Sequence, residues 1–366
     1  MRKYLISFVI ILSACAPRGE VRVDPSAATV GEVQEILVGT TRASEGPERS
    51  EEVRYGRVDV SVPPQRKVGT IKFPVKDQPA NPQTDFLTTQ RLSYPTREGF
   101  RQAVREQLRN PQVQSDGDAV IFVHGYNNTF AEGLYRFAQF AHDLDMPGTY
   151  MHFAWPSRGQ TLAYAADRDS VLFSRDGLQQ MIEDTQAAGA RQVVLVGHSM
   201  GTELVMETLR QMAIGGKRKE LDKIGGVVLF SPDIDVDVFR MQAKAIGKLP
   251  QPFLIFTSSK DSALQLSARL SGEPVRLGSL QDARRVSDLE VMLVDTAAFN
   301  TGSGHFDAAS SPALLSILTR AGDIGSAFAN DAGGRVGLFT GAALTVERAA
   351  QVVLLPDQYA ADYFRR

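Results

Sequence analysis

One cysteine, one tryptophan and five histidines are all that 366 residues contain of these types, and each scarcity excludes something. With Cys15 alone, no disulfide can form within the chain, so the folded part must be held by its core. The histidines (His124, His142, His152, His198 and His305) are scattered without metal-ligand spacing, and no metal site is expected. Charge of one sign is missing too: 40 Lys and Arg stand against 42 Asp and Glu, for a net charge of −2. No basic cluster carries stacking aromatics, so a nucleic-acid partner is not expected. The apolar run from Tyr4 to Leu12 is too short to span a bilayer as a stable anchor. No internal repeat is visible.

That run reads instead as an export signal. Arg2 and Lys3 precede it, and Leu12-Ser13-Ala14-Cys15 follows, which resembles a bacterial lipobox: small residues before a cysteine that becomes the lipidated N-terminus. Residues 1–15 are therefore expected to be a lipoprotein signal peptide. Residues 16–31, with Pro17, Gly19, Pro25 and Gly31, would be a tether. A multiply acylated Cys15 would hold the protein durably on the bacterial cell envelope, at a periplasmic or outer-membrane face. The remainder is divided into a domain over 32–320 and a C-terminal extension over 321–366.

What the chain does have is a β-branched run, Val193 to Val196, that breaks into Gly197-His198-Ser199-Met200-Gly201 and then into helix-forming residues at helical spacing. Strand, hard turn and helix with a serine at the apex is the pattern of a nucleophile elbow. Gly197 and Gly201 stand where neighbouring strand and helix leave no room for a Cβ.

Around this stretch strands and helices alternate. Strands are expected at Glu35–Val38, Tyr55–Val62, Ala119–Val123, Tyr150–Ala154, Gly226–Phe230, Phe253–Thr257 and Val291–Val294. Helices are expected along Phe100, Val104 and Leu108, after the Thr129/Glu132 capping box, over Val171–Ala188, and near Val236–Ala245, Ala263–Leu270 and Pro312–Leu318. The polar run Ser44–Glu52 reads as a loop, and the Pro-rich stretch through Pro74, Pro79, Pro82 and Pro95 as mostly irregular. The extension is Gly- and Ala-rich to about Ala343, with one helix expected to end at Pro356. Such alternation implies a mostly parallel sheet covered by helices on both faces.

Where an elbow carries the nucleophile, an acid and then a histidine follow it along the chain. Only His305 lies after Ser199, in the loop Asn300–Phe306 just past the last expected strand. Asp261, after the strand Phe253–Thr257, is the favoured acid, with Asp233 or Asp235 as the alternative. The expected oxyanion donors are the N–H groups of Met200 and Tyr126, with Gly125 letting the backbone approach the reacting carbonyl; losing one such donor typically costs about 3 kcal/mol of transition-state stabilisation. His124 is read as orienting that loop, His198 as pointing away from the serine, and His142 and His152 as packing. Trp155 either lines the pocket or packs a loop. Arg158 is a surface residue that could also meet an anionic group.

These residues resemble a family of bacterial α/β-hydrolases of unknown function within the esterase/lipase superfamily. The resemblance runs from about Glu35 to Leu318 on VHGYNNTF (Val123–Phe130), FAWPSRG (Phe153–Gly159), YAADRDS (Tyr164–Ser170), VGHSMG (Val196–Gly201), SPDIDVDVF (Ser231–Phe239) and SSKDSAL (Ser258–Leu264). It implies the α/β-hydrolase fold and a serine nucleophile, but no substrate. The expectation is a serine hydrolase acting on a small-molecule or lipid ester without a cofactor, membrane-bound through its lipid anchor. The alternative is a catalytically silent envelope scaffold on the same fold.

Overall fold

The computed structural model describes residues 18–111, 117–145, 147–272, 275–297, 341–346 and 349–354. Alternation of apolar strands with amphipathic helices builds one large sheet. Its strands are β1 (Glu32–Arg42), β2 (Arg49–Val62), β3 (Leu87–Tyr94), β4 (Ala119–Val123), β5 (Thr149–Ala154), β6 (Val193–His198), β7 (Ile224–Phe230), β8 (Phe253–Thr257), β9 (Met292–Asp295), β10 (Gly341–Val346) and β11 (Ala349–Leu354). The helices are α1 (Arg97–Leu108), α2 (Phe130–Leu144), α3 (Tyr164–Phe173), α4 (Arg175–Ala187), α5 (Met200–Ile214), α6 (Arg218–Leu221), α7 (Val236–Ile246) and α8 (Ser262–Ser271).

Across the sheet the order is β10-β11-β9-β8-β7-β6-β4-β5-β1-β2-β3. Pairing is parallel from β11 through to β1, whereas β2, β3 and β10 join antiparallel. The chain runs from β4 outward to β5, then returns to the other side of β4 for β6. Loops leaving β4 and β6 at their carboxyl ends therefore part in opposite directions, which is where open α/β sheets form a crevice.

Burial follows the pleat, because successive residues of a strand face opposite sides. Ile121, Val123, Leu195, Leu229 and Ile255 share a core with Met181, Leu204, Leu209 and Phe239 of α4, α5 and α7. Phe122, Val196, Phe230 and Phe256 face the other way, with Leu134, Phe137 and Phe140 of α2. The Phe122 and Phe137 rings stack at 5.1 Å.

Several sequence expectations change here. Arg49–Glu52 belong to β2, not to a loop, and β3 lies within the stretch read as irregular; that edge strand buries only its first three residues and shows little alternation. The expected helix Val171–Ala188 is two helices, α3 and α4, meeting at Ser174, whose hydroxyl bonds that of Thr41 at 2.8 Å. The helix expected before Pro356 is replaced by β10 and β11, and β11 extends the sheet alongside β9. Residues 18–31 are no free tether: Val23 bridges Thr88, Pro25–Thr29 form a 3-10 turn, and Ala27 is fully buried. The expected helix Pro312–Leu318 lies outside the described residues, as do Cys15 and His305.

Candidate active site

Ser199 sits between the end of β6 and the first turn of α5 with φ 51° and ψ −123°. A non-glycine residue there stores strain of order 1–3 kcal/mol and persists only if its surroundings impose it. They do: its N–H donates to the Phe230 carbonyl at 2.9 Å, and its carbonyl accepts from the Thr202 N–H at 3.1 Å and hydroxyl at 2.6 Å. Met200 opens α5, so its N–H has no acceptor inside the helix.

Close approach explains two glycines. A Cβ on Gly201 would stand 2.3 Å from the His124 carbonyl oxygen and 2.5 Å from that of Val123, so only glycine lets α5 abut the end of β4. A Cβ on Gly125 would meet Ser199 Cβ at 2.9 Å and His198 Nδ1 at 2.7 Å. The loop after β4 thus lies against the serine itself.

The plane of the Gly125–Tyr126 peptide is held by its neighbours. The Gly125 carbonyl accepts from the Asn128 side-chain amide at 3.1 Å, which also reaches the Tyr126 carbonyl at 2.9 Å. In a trans peptide C=O and N–H point opposite ways, so engaging the Gly125 oxygen directs the Tyr126 N–H away from Asn128. The Tyr126 hydroxyl donates to the Thr161 carbonyl, and its phenol is pushed up to about 12 by burial and by Asp167 and Asp233.

Asp167, fully buried, ties this loop to the one after β5. It accepts from the Ser157 hydroxyl at 2.6 Å, the Arg158 N–H at 2.8 Å and the Asn127 N–H at 3.4 Å. Burial raises its pKa, against the pull of those donors. Buried Arg42 donates to the Asn128 carbonyl at 3.2 Å and the Gly46 carbonyl at 2.9 Å, and its charge acts on Asp167. Arg168 of α3 pairs with buried Glu203 of the elbow helix α5 at 2.8 Å.

Trp155 has no exposed surface. Its indole N–H donates to the His124 carbonyl at 2.7 Å and its ring stacks on the His124 imidazole at 4.9 Å, so of its two expected roles the structure gives it packing rather than a pocket wall. Both His124 ring nitrogens lie near carbonyls, Gly125 at 2.9 Å and Trp155 at 3.0 Å. Burial, then Arg42, lowers its pKa to about 3, which keeps it neutral. His152 is buried among Phe122, Phe130 and His124, and burial drives its pKa well below the ordinary value. His142 contacts Asp143 and Arg66. Arg158 is exposed.

The three acid candidates differ in what occupies them. Asp233 faces the Arg276 guanidinium at 3.2 Å, both side chains buried, and accepts from the Tyr164 hydroxyl at 3.0 Å and from the Ser267 hydroxyl. Both of its oxygens are thereby engaged. Asp235 caps α7 by accepting from the N–H groups of Asp237 and Val238. Asp261 is fully buried after β8, and its Oδ1 caps α8 through the Leu264 N–H at 3.0 Å.

Asp167, Asn128, Arg42 and Glu203 were missed as site residues by sequence reasoning. The only signal for Asp167 and Asn128 was their place inside the motifs YAADRDS and VHGYNNTF. Among the described residues, no group of three His, Cys, Asp or Glu could hold a metal ion. A cavity of about 380 Å³ between β1–β3 and α1, lined by Glu35, Arg57, Tyr94 and Gln107, lies toward the amino ends of the parallel strands, on the far edge from Ser199.

A family model described as "Alpha/beta hydrolase of unknown function (DUF900)" matches residues 99–321, more than half of the chain. No curated protein matches. Among solved structures, a mutant of the esterase rPPE is 13% identical, covering 86% of each chain with a TM-score of 0.39. The Pyrococcus furiosus esterase Pf2001 is 12% identical over 85% of this chain and 97% of its own, TM-score 0.38. Carboxyl esterase 2 of the fungus Tuber melanosporum is 10% identical over 96% and 87%, TM-score 0.36. These likenesses are too distant to support a residue-by-residue correspondence.

Proposed function

The chain belongs to this family of α/β hydrolases of unknown function, and from that premise we propose that it is a serine hydrolase cleaving carboxylic esters or related acyl compounds. One observation carries the reading: Ser199 is held at φ 51°, ψ −123° on a strand-to-helix turn, with the Gly125 backbone against its Cβ. Such a turn presents the buried serine hydroxyl at the carboxyl edge of the sheet, and the helix start and the peptide orientation support the Met200 and Tyr126 N–H groups as its oxyanion donors.

In this reading His305 takes the Ser199 proton as the hydroxyl attacks the ester carbonyl, and Asp261 fixes the imidazole tautomer and stabilises the imidazolium. The oxyanion rests on the Met200 and Tyr126 N–H groups. His305 then protonates the departing alcohol, and water, activated by the same imidazole, hydrolyses the acyl-enzyme and restores Ser199. Asp261 is the acid of this reading because it follows β8, the strand next before the one that leads to the His305 loop, and the buried pairing of Asp233 with Arg276 supports that choice. The same proposal places the protein on the cell envelope through a lipidated Cys15.

A fluorophosphonate probe tests the nucleophile. The folded protein should be labelled at Ser199, and Ser199→Ala should lose both labelling and ester turnover. A folded wild type that takes no label would sink the catalytic reading in favour of a silent scaffold.

A further inference from the structure

The segment that follows Cys15 is docked at the rim of the proposed site. The Arg18 guanidinium donates to the Asn127 carbonyl at 2.6 Å, its side-chain oxygen at 2.8 Å, the Gly159 carbonyl at 2.8 Å and the Glu132 carboxylate. Gly19 donates from its N–H to Glu132 at 2.9 Å and accepts from the Thr129 hydroxyl at 2.8 Å. It is buried so tightly that a Cβ would fall 2.5 Å from the Phe73 ring. Thr129 and Glu132 are the capping box of α2, and Asn127 follows Tyr126 directly. Every one of these partners except Phe73 lies in the loops leaving β4 and β5 at their carboxyl ends or in the first turn of α2, on the side of the sheet that carries Ser199.

Length then limits where an anchor can be. Cys15 precedes Arg18 by three residues, at most about 11 Å of extended chain, whereas a free 16-residue tether would allow about 55 Å. Acyl chains on Cys15 would thus enter a bilayer beside these loops, and docking at Arg18 and Gly19 removes the freedom to tumble. A second observation lies on the same rim: Leu162, in the loop from β5 to α3, is 96% exposed, next to Thr161, whose carbonyl receives the Tyr126 hydroxyl. A single exposed leucine is ordinary on a surface. One placed beside the entry point of an acyl anchor presents an apolar side chain to the lipid.

We infer that this rim rests on the leaflet that holds the Cys15 acyl chains, and that the substrate is an ester carried in that leaflet rather than a dissolved one. The inference rests on the proposed Ser199 nucleophile and the lipidation of Cys15, and it adds the orientation and the substrate class. Arg18 is the clamp that sets the orientation, since it joins the anchor-proximal segment to both rim loops.

The test uses the full chain, acylated at Cys15 as checked by intact mass, in phosphatidylethanolamine/phosphatidylglycerol vesicles. An environment-sensitive fluorophore on Leu162→Cys should emit to the blue and be quenched by nitroxide lipids. The same fluorophore on Ile214→Cys, at the exposed far end of α5, should do neither. Equal behaviour at the two positions, or a chain without acyl groups, overturns the orientation. For the substrate, a flexible 20-residue Gly-Ser insert between Ala16 and Pro17 should lower turnover of a vesicle-borne fluorogenic diacyl ester at least tenfold and leave that of dissolved p-nitrophenyl acetate unchanged. Equal turnover of the vesicle ester with and without the insert overturns the substrate class. Absence of turnover on both esters, with no fluorophosphonate label, refutes the hydrolase reading and the substrate class with it, while the fluorophore pair still decides the orientation by itself.

Discussion

Asn128 spends one side-chain amide on two carbonyls, and the consequence is felt at an atom it does not touch. By holding the Gly125 oxygen at 3.1 Å it sets which way the Tyr126 N–H points. Removing an oxyanion donor outright typically costs about 3 kcal/mol, or a hundredfold or more in rate. Loosening its orientation should cost less, since the peptide is still present. In the proposed mechanism this N–H meets charge that exists only in the transition state, so Asn128→Ala is expected to lower kcat on a dissolved ester about tenfold with KM changed less than twofold. A matching rise in KM with kcat intact would assign Asn128 to substrate binding instead. Its partners are separated from it by only two or three residues, yet nothing in local pattern distinguishes this asparagine from Asn127 beside it. Asn127 takes φ 58°, donates its N–H to Asp167 and accepts at its carbonyl from Arg18. The two part company only once the loop is folded.

At the scale of elements, the site depends on how closely α5 and the loop after β4 can lie. Gly201→Ala would force a Cβ into two carbonyl oxygens, at 2.3 and 2.5 Å, both main-chain and unable to step aside as a side chain could. The helix start must then shift, and with it Ser199 and the Met200 N–H. We expect a loss of at least about 1–3 kcal/mol in urea unfolding, the usual cost of overpacking, together with loss of fluorophosphonate labelling at a temperature where the variant remains folded. Retained labelling at the wild-type rate would show that the elbow tolerates the displacement. The elbow, the strand β4, the capping box of α2 and the strand β8 were all legible, because in each case residues adjacent in sequence do the work. β3 and the β10–β11 pair were not. Leu87–Tyr94 is an edge strand with little alternation, and the Ala- and Leu-bearing segments 341–346 and 349–354 carry helix-favouring residues that pair as strands along the free side of β9. Strand preference is set largely by what lies alongside, so local composition misleads there.

Over the whole molecule, buried histidines tie stability to pH. His124 is neutral in the fold, its pKa about 3, against about 6.5 in an unfolded chain. Between those values the unfolded state binds more protons, so stability is intact above pH 6.5 and falls as pH drops below it, by up to about 1.4 kcal/mol per pH unit. His152, also held neutral by burial, adds in the same direction. Urea unfolding at pH 7.5, 5.5 and 4.5 should show this decline, and His152→Leu should make it shallower; an identical slope in that variant would mean His152 is not protonated on unfolding. What the chain's order of residues determined unaided was the alternating α/β architecture and the serine turn, because strand runs, helix spacing and a glycine-flanked turn are local properties. What only tertiary structure decided was which side chains brace that turn: Asp167 across two loops, Asn128 on a peptide plane, Arg276 occupying Asp233, and Arg18 clasping the rim. Those contacts join residues that lie close only after the sheet has assembled, and the hydrogen-bonding capacity of a buried polar group says that it needs a partner without saying which one.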